Sequence, residues 1–295
     1  MCAYKIVSDT SSDIYPSVID TSAIPRVPFY VTFDKEHYYK EITEMSVDAF
    51  YEKIHTDKAF PSTSQPIIAD YIEVFEPILQ EGLDILCLSI SGLFSGSHQS
   101  AVNAAEMMLE KYPDRKIITI DSLNATLGFG LILYQAHLMH EAGYTLEENA
   151  RVLEQLKHET IINFTVGTLD FLQHGGRIGK TAALAGTIFN VKPIICLREG
   201  ELFPVENVRG IKKAMKAIID KTDKEIKDHE SDYYMTLFHA EKYDPVADVI
   251  LEHYGDPNKY SLLKDMGRIG VTIGSHTGPN VIAFAYSKKY TCYDK

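Results

Sequence analysis

The sequence has too few cysteines, too widely scattered, for a disulfide framework or a thiolate metal site. Only Cys2, Cys87, Cys196 and Cys292 occur, with no C-x-x-C pair. Cys87 and Cys196 lie inside apolar runs, where a core thiol is the expected role. The eleven histidines include no H-x-x-x-H or H-E-x-x-H spacing, so the expected number of metal sites is none. No G-x-G-x-x-G follows the first strand-like run, which removes the dinucleotide argument. The order G-x-S-x-G is missing too: GLFSG (92–96) and GSHTG (274–278) both depart from it. Positive charge is in the minority, with 29 Lys and Arg against 41 Asp and Glu and a net charge of −12. Nucleic acid is therefore an unexpected partner, because affinity for it rests on clustered Lys and Arg. No stretch approaches the roughly 20 apolar residues that cross a bilayer, and MCAYKIVSDT lacks a signal peptide's long apolar region. The expectation is a cytoplasmic protein without stable membrane insertion.

What is present is ordinary globular material: 295 residues, 45% hydrophobic and 24% charged, enough for two lobes. Through the first half, short β-branched runs alternate with helical periodicity. KIV (5–7), VPFYVTF (27–33), ILCLSI (85–90) and KIITI (116–120) read as strands. Val47, Phe50, Tyr51 and Ile54 share a helical face behind Ser46, and a second helix opens at Pro66 with Ile68, Ile72 and Phe75. A third helix spans about Gln99 to Lys111, and a fourth runs from Leu131 to Glu141 after the glycines at 128 and 130. A fifth opens on the capping-box spacing of Thr145 and Glu148. In the second half FTVGTL (164–169), KPIICL (192–197), YYMTLF (233–238), IGVTI (269–273) and VIAFAY (281–286) read as strands with fewer helices between them. The prediction is an α/β protein. A mainly parallel sheet with flanking helices occupies 1–160, and an α/β lobe with a mixed sheet occupies 161–295.

Hydroxyl-rich turns recur at strand ends. SDTSSD (8–13), SGLFSGSHQS (91–100), DSLN (121–124) and GSHTGP (274–279) each follow an expected strand, while PSTSQP (61–66) precedes a helix. Each is explicable as a turn or cap. Together, beyond the carboxyl ends of strands, they suit a crevice that binds a neutral or anionic oxygen. The stretch HGGRIGKTAALAG (174–186) imitates a Walker loop but leaves one residue too few before Gly179-Lys180-Thr181, and LDFLQ before it does not read as a strand. After KPIICL, Ile211, Ala214, Met215 and Ile218 form a helical face, with Arg209, Lys212, Lys213 and Lys216 on an adjoining one. That basic stripe suits an acidic partner, or is a solvated face whose lysine stems cover the core.

In order, KIVSDTSSDI, PSTSQP, ISGLFSGSHQSA, IDSLNATLG, FLQHGGRIGKTAALAG, RGIKKA and GSHTGP resemble the DegV family of bacterial lipid-binding proteins, from about residue 5 to 280. The resemblance implies a two-lobed protein that holds one long-chain fatty acid between its lobes and has no catalytic residue or cofactor of its own. It also implies a partner, the ATP-binding subunit of a fatty-acid kinase, which phosphorylates the presented carboxyl group. By the same resemblance Thr63, Ser95 and the Gly96 backbone would hold the carboxyl group. Arg177 and His276 would form the network around it, and Arg209 would lie where the kinase docks. Two departures from the family's habit matter: Ser97-His98 replaces the common Thr-Tyr, bearing on the head-group pocket, and Ile211 replaces a basic residue, bearing on docking. Candidate walls for the acyl chain are Phe29, Phe94, Leu127, Phe129, Phe164 and Ile188, all of which also suit plain core. Two other readings compete: an autonomous lipid hydrolase or phosphotransferase using Ser95 with His276, and a regulatory protein that responds to lipid occupancy.

Overall fold

The computed structural model describes residues 4–14, 18–20, 23–57, 59–184, 191–241, 245–265 and 267–294. The first half contributes β1 (Tyr4–Asp9), β2 (Arg26–Val27), β3 (Tyr30–Thr32), β4 (Tyr39–Lys40), α1 (Val47–Asp57), β5 (Ser62–Ser64), α2 (Ile68–Gln80), β6 (Asp84–Ser89), α3 (Ser97–Lys111), β7 (Ile117–Asp121), α4 (Thr126–Glu141) and α5 (Leu146–Leu156). The second contributes β8 (Thr160–Thr165), α6 (Asp170–His174), β9 (Val191–Arg198), β10 (Glu201–Arg209), α7 (Ile211–Ile226), β11 (Tyr233–His239), α8 (Asp248–His253), β12 (Ser261–Leu262), α9 (Val271–Thr277) and β13 (Ile282–Lys288).

The expected α/β class holds. Strands β2-β1-β6-β7 form a parallel sheet, and β10-β9-β8-β13-β11-β12 form a separate mixed sheet that is antiparallel except between β11 and β12. In the parallel sheet Val7, Ile85 and Cys87 face α2 and α3, while Ile6, Leu86 and Leu88 face the cluster containing α4 and α5. The mixed sheet divides likewise: Ile161, Cys196, Met235 and Phe284 pack with α7 and α8, while Ile162, Phe164, Leu197 and Ala283 share the α4 cluster. Both sheets therefore contribute to the cluster that encloses α4. That explains why α4 is buried along most of its length, including Leu127, Phe129, Leu131, Ile132, Leu133, Ala136 and Met139.

Several boundaries differ from the sequence reading. VPFYVTF is not one strand: Pro28, which lacks an N–H, separates β2 in the parallel sheet from β3 in a small antiparallel sheet ordered β4-β3-β5. Half of PSTSQP, Ser62–Ser64, is the strand β5, and α2 starts at Ile68, its first turn fixed by the Asp70 carboxylate accepting from Ile67 N at 2.8 Å. FTVGTL is strand only as far as Thr165, and KPIICL turns at Glu199-Gly200 into β10, which the sequence did not signal before RGIKKA. The largest correction is IGVTI. Its alternating β-branched residues imitate a strand, yet Val271 opens helix α9. The cause is tertiary. The buried Glu41 carboxylate accepts from Thr272 N at 3.0 Å and from Thr272 Oγ1 at 2.7 Å, giving the helix start an anionic cap that outweighs strand propensity. GSHTGP consequently lies in and just after the last turn of that helix rather than beyond a strand.

The glycines at 128 and 130 do not precede α4 but lie within it. A side chain at Gly128 would meet Ile162 of β8 at 2.8 Å and also overlap the Asn124 amide, and one at Gly130 would meet the Ser12 carbonyl at 2.8 Å. The glycines thus permit α4 to approach both halves of the chain. Gly128→Ala is expected to destabilise the protein by about 1–3 kcal/mol despite alanine's better helix propensity. A raised denaturation midpoint would show that the close approach is not a constraint.

Candidate functional site

The ends of β1, β6 and β7 converge as a parallel sheet requires, and the loops after β6 and β7 reach one cavity of about 310 Å³. Its walls are mainly apolar, including Phe29, Ile90, Phe94, Phe164, Leu197 and Phe238. Thr63, Ser95, Arg177 and His276 all line it, so the structure brings together four of the five residues expected near a carboxyl group. Of the expected acyl walls, Phe29, Phe94 and Phe164 line the cavity. Leu127 and Phe129 are fully buried core and are not part of the lining, and Ile188 lies outside the described residues.

Thr63 is carried by β5, registered against Val31 of β3. Its Oγ1 lies 2.8 Å from His276 Nε2, which the last turn of α9 presents. Burial, and secondarily the nearby Arg177 charge, lower the His276 pKa to about 4. The imidazole is thus neutral near pH 7. His276 Nδ1 has no hydrogen-bond partner among the described residues. It sits against Gly175, where any Cβ would overlap it. A proton on Nε2 would let the ring donate to Thr63, leaving the Thr63 hydroxyl hydrogen for an anionic ligand.

Ser95 belongs to the loop between β6 and α3. Its backbone N–H donates to Ser91 O at 3.2 Å, and its Oγ accepts from Ser97 N at 3.2 Å. The hydroxyl hydrogen is not used by that cap and can serve a ligand. Arg177 clamps this loop from across the cavity mouth: Nε and Nη2 donate to Phe94 O at 3.2 and 3.0 Å, and Nη1 to Gly175 O at 2.6 Å. No carboxylate forms an ion pair with it among the described residues, so its charge is available to the mouth.

Gly96 is the exception. Its N–H donates to Gln65 Oε1 at 2.7 Å, and Gly96 is not part of the lining, whereas Gln65 is. Gln65 is the residue that sequence reasoning passed over, although its place inside PSTSQP was the available signal. The Ser97-His98 departure faces away from the cavity. Ser97 Oγ donates to Asp9 Oδ2 at 3.1 Å and lies 2.7 Å from Tyr71 OH, while His98 Nδ1 lies 2.9 Å from Ser89 Oγ. Asp9 also accepts from Ile90 N at 2.9 Å and so ties the start of the serine loop to the end of β1.

The Walker-like stretch forms no phosphate loop. Helix α6 precedes it, Lys180 pairs with Glu201 at 2.5 Å and lies over the Phe203 ring, and Thr181 donates to Ile178 O. Ala185 and Gly186 lie outside the described residues. Arg209 ends β10 and is exposed, beside exposed Lys212, Lys213 and Lys216 of α7, of which Lys216 pairs with Asp220 at 2.9 Å. Among the described residues no helix is long and apolar enough to cross a membrane, and no group of three or more metal-ligating side chains occurs.

The DegV family profile, whose description is an uncharacterised protein family, matches residues 3–289. The chain belongs to the DegV family. A DegV domain-containing protein of Clostridium perfringens is 33% identical over 290 residues, covering 96% of this chain and 97% of that one. A stearic-acid-binding protein of Eubacterium ventriosum superposes with a TM-score of 0.88 at 31% identity, over 98% of this chain and 100% of its own. A DegV family protein of Thermus thermophilus, described by its fatty-acid binding, gives 0.86 at 29% identity over 97% and 99%. The DegV α/β fold and a mainly apolar cavity that Thr63, Ser95, Arg177 and His276 also line occur together in this chain.

The His276 environment makes a direct claim. Its imidazole resonances should hold still from pH 8 to about 5 and move only as the pH approaches 4. An NMR titration with a midpoint near the ordinary 6.5 would show that the ring is solvated.

Proposed function

We propose that this DegV protein holds one long-chain fatty acid in the cavity, its carboxylate at the mouth and its acyl chain among the apolar walls. The observation that carries the reading is the asymmetry of the lining, in which Thr63, Ser95, Arg177 and His276 meet at one apolar cavity. At about 0.8 kcal/mol per methylene, burying some fifteen of them gains about 12 kcal/mol, and lost ligand freedom takes back several. Binding is therefore tight but reversible. The related proteins of Eubacterium ventriosum and Thermus thermophilus support the ligand class by their own fatty-acid binding. In this reading residues 1–160 and 161–295 are the two lobes, with the ligand between them.

The proposal extends to a cytoplasmic carrier that does no chemistry itself and presents the carboxylate to a separate ATP-binding kinase subunit. The exposed basic run of Arg209, Lys212 and Lys213 offers such a subunit an electrostatic landing surface. The hydrolase reading is disfavoured because His276 Nε2 bonds Thr63 rather than Ser95, and its Nδ1 has no orienting carboxylate among the described residues.

Thr63→Ala and Ser95→Ala are each expected to weaken retention of stearate by about ten- to a hundredfold, since each removes a hydrogen bond to a charged acceptor worth about 1.5–3 kcal/mol. Lipid extraction and mass spectrometry of the purified variants reads this directly, and full occupancy in both would place the carboxylate elsewhere. Arg209→Ala is expected to leave bound lipid in place while slowing acyl-phosphate formation by the kinase subunit. Loss of lipid with unchanged phosphorylation would remove Arg209 from docking.

A further inference from the structure

Strand β13 is paired on both edges, with β8 and β11, and it places alanine at 283 and 285 on the face that shares the α4 cluster. Alanine is depleted in strands, so each of these positions calls for a spatial reason. The two reasons differ. Ala285 is fully buried and lies outside the cavity lining, as expected on a strand against which α4 packs. Ala283, two residues earlier on the same face, is part of the lining.

Register sets Ala283 directly between two aromatic neighbours. Phe164 of β8 stands opposite it on one side and Phe238 of β11 on the other, and both also line the cavity. Residues opposite one another in a ladder share a face, so the three side chains form one row, large, small and large. Phe164 and Phe238 are two strand spacings apart, roughly 9–10 Å. A carbon chain touching carbon on both sides needs about 8 Å, at about 4 Å per contact. The row therefore has the width of a single acyl chain, and the short alanine side chain lowers the floor on which that chain can lie.

We propose that Ala283 is the specificity-determining residue for acyl length, keeping open a slot between Phe164 and Phe238 through which the ligand's tail crosses the mixed sheet. The slot rests on the reading of the cavity as a fatty-acid site. A larger residue at 283 closes it and shortens the chain that the cavity accepts.

The test is binding of the saturated acids from decanoate to stearate to the delipidated full chain, together with its Tm, in the natural protein, Ala283→Leu, Ala283→Val and Ala285→Leu. Each methylene kept out of the cavity costs about fourfold in affinity. Ala283→Leu is therefore expected to weaken stearate about fifteenfold or more, with the loss shrinking as the acid shortens toward decanoate. Its ligand-free Tm should rise by about 1–4 °C, because the added carbons fill open space. Ala285→Leu, overpacked against core, should lower the Tm or fail to fold, without shortening the accepted chain wherever it does fold. If Ala283→Leu does not fold, Ala283→Val is read in its place, and failure of both to fold overturns the slot. So does a lowered Tm in the variant read, a length series that still runs to stearate as in the natural chain, or the same shortening in Ala285→Leu. With stearate bound by the natural chain, any of these leaves the fatty-acid reading standing. If no acid of the series binds the natural chain, the reading and the slot fall together.

Discussion

The placement of the site depends on the buried Glu41 carboxylate. It accepts from Thr10 Oγ1 at 2.7 Å, beyond the end of β1, and from both the N–H and the hydroxyl of Thr272 at the start of α9. One side chain thereby joins the turn after the first parallel strand to a helix from the far end of the sequence. Since α9 carries His276 on its last turn, this junction determines where the imidazole meets Thr63. Gly270 is part of the same constraint, because any side chain there would overlap Asp13 and come within 2.9 Å of Glu41 Oε1. The acids can approach the helix start so closely only because that residue has none.

Burying carboxylates raises their affinity for protons, and Asp9, Asp13 and Glu41 all move upward chiefly for that reason. Asp9 rises from 3.8 to about 6, so its protonated form favours the folded chain and that contribution is lost as pH rises through about 6. His276 runs the other way. Its pKa falls from 6.5 to about 4, so it supports the fold when neutral, and that support is lost as pH drops through this interval. The two dependences oppose one another over nearly the same range, which flattens the pH response of stability below what either group alone would impose.

Much of the fold was legible because its signals are local. The alternating faces of KIITI and ILCLSI, the Thr145–Glu148 capping box and the hydroxyl turns after β1, β6 and β7 all appear where the residues put them. IGVTI failed because the deciding partner, Glu41, lies more than two hundred residues away and reverses a local preference. The site was legible to a similar depth. Thr63, Ser95, Arg177 and His276 could be placed near one another from their motifs, but Gly96 could not be known to donate to Gln65. Which of two adjacent loops satisfies a backbone N–H depends on their separation, and separation has no signature in residue type.

The electrostatics of the mouth favour holding a carboxylate over transforming it. A general base needs an imidazole that takes up a proton near neutral pH, and His276 is kept from doing so by burial and by the Arg177 charge. Its neutral ring can orient the Thr63 hydroxyl, while Arg177 fixes the loop carrying Ser95 through the Phe94 carbonyl. On the proposed reading, the ligand's negative charge meets two hydroxyls and a guanidinium, with no proton transfer required. On the same proposed reading, an anion held in that way remains a nucleophile toward a phosphoryl donor that a separate kinase subunit would supply and activate.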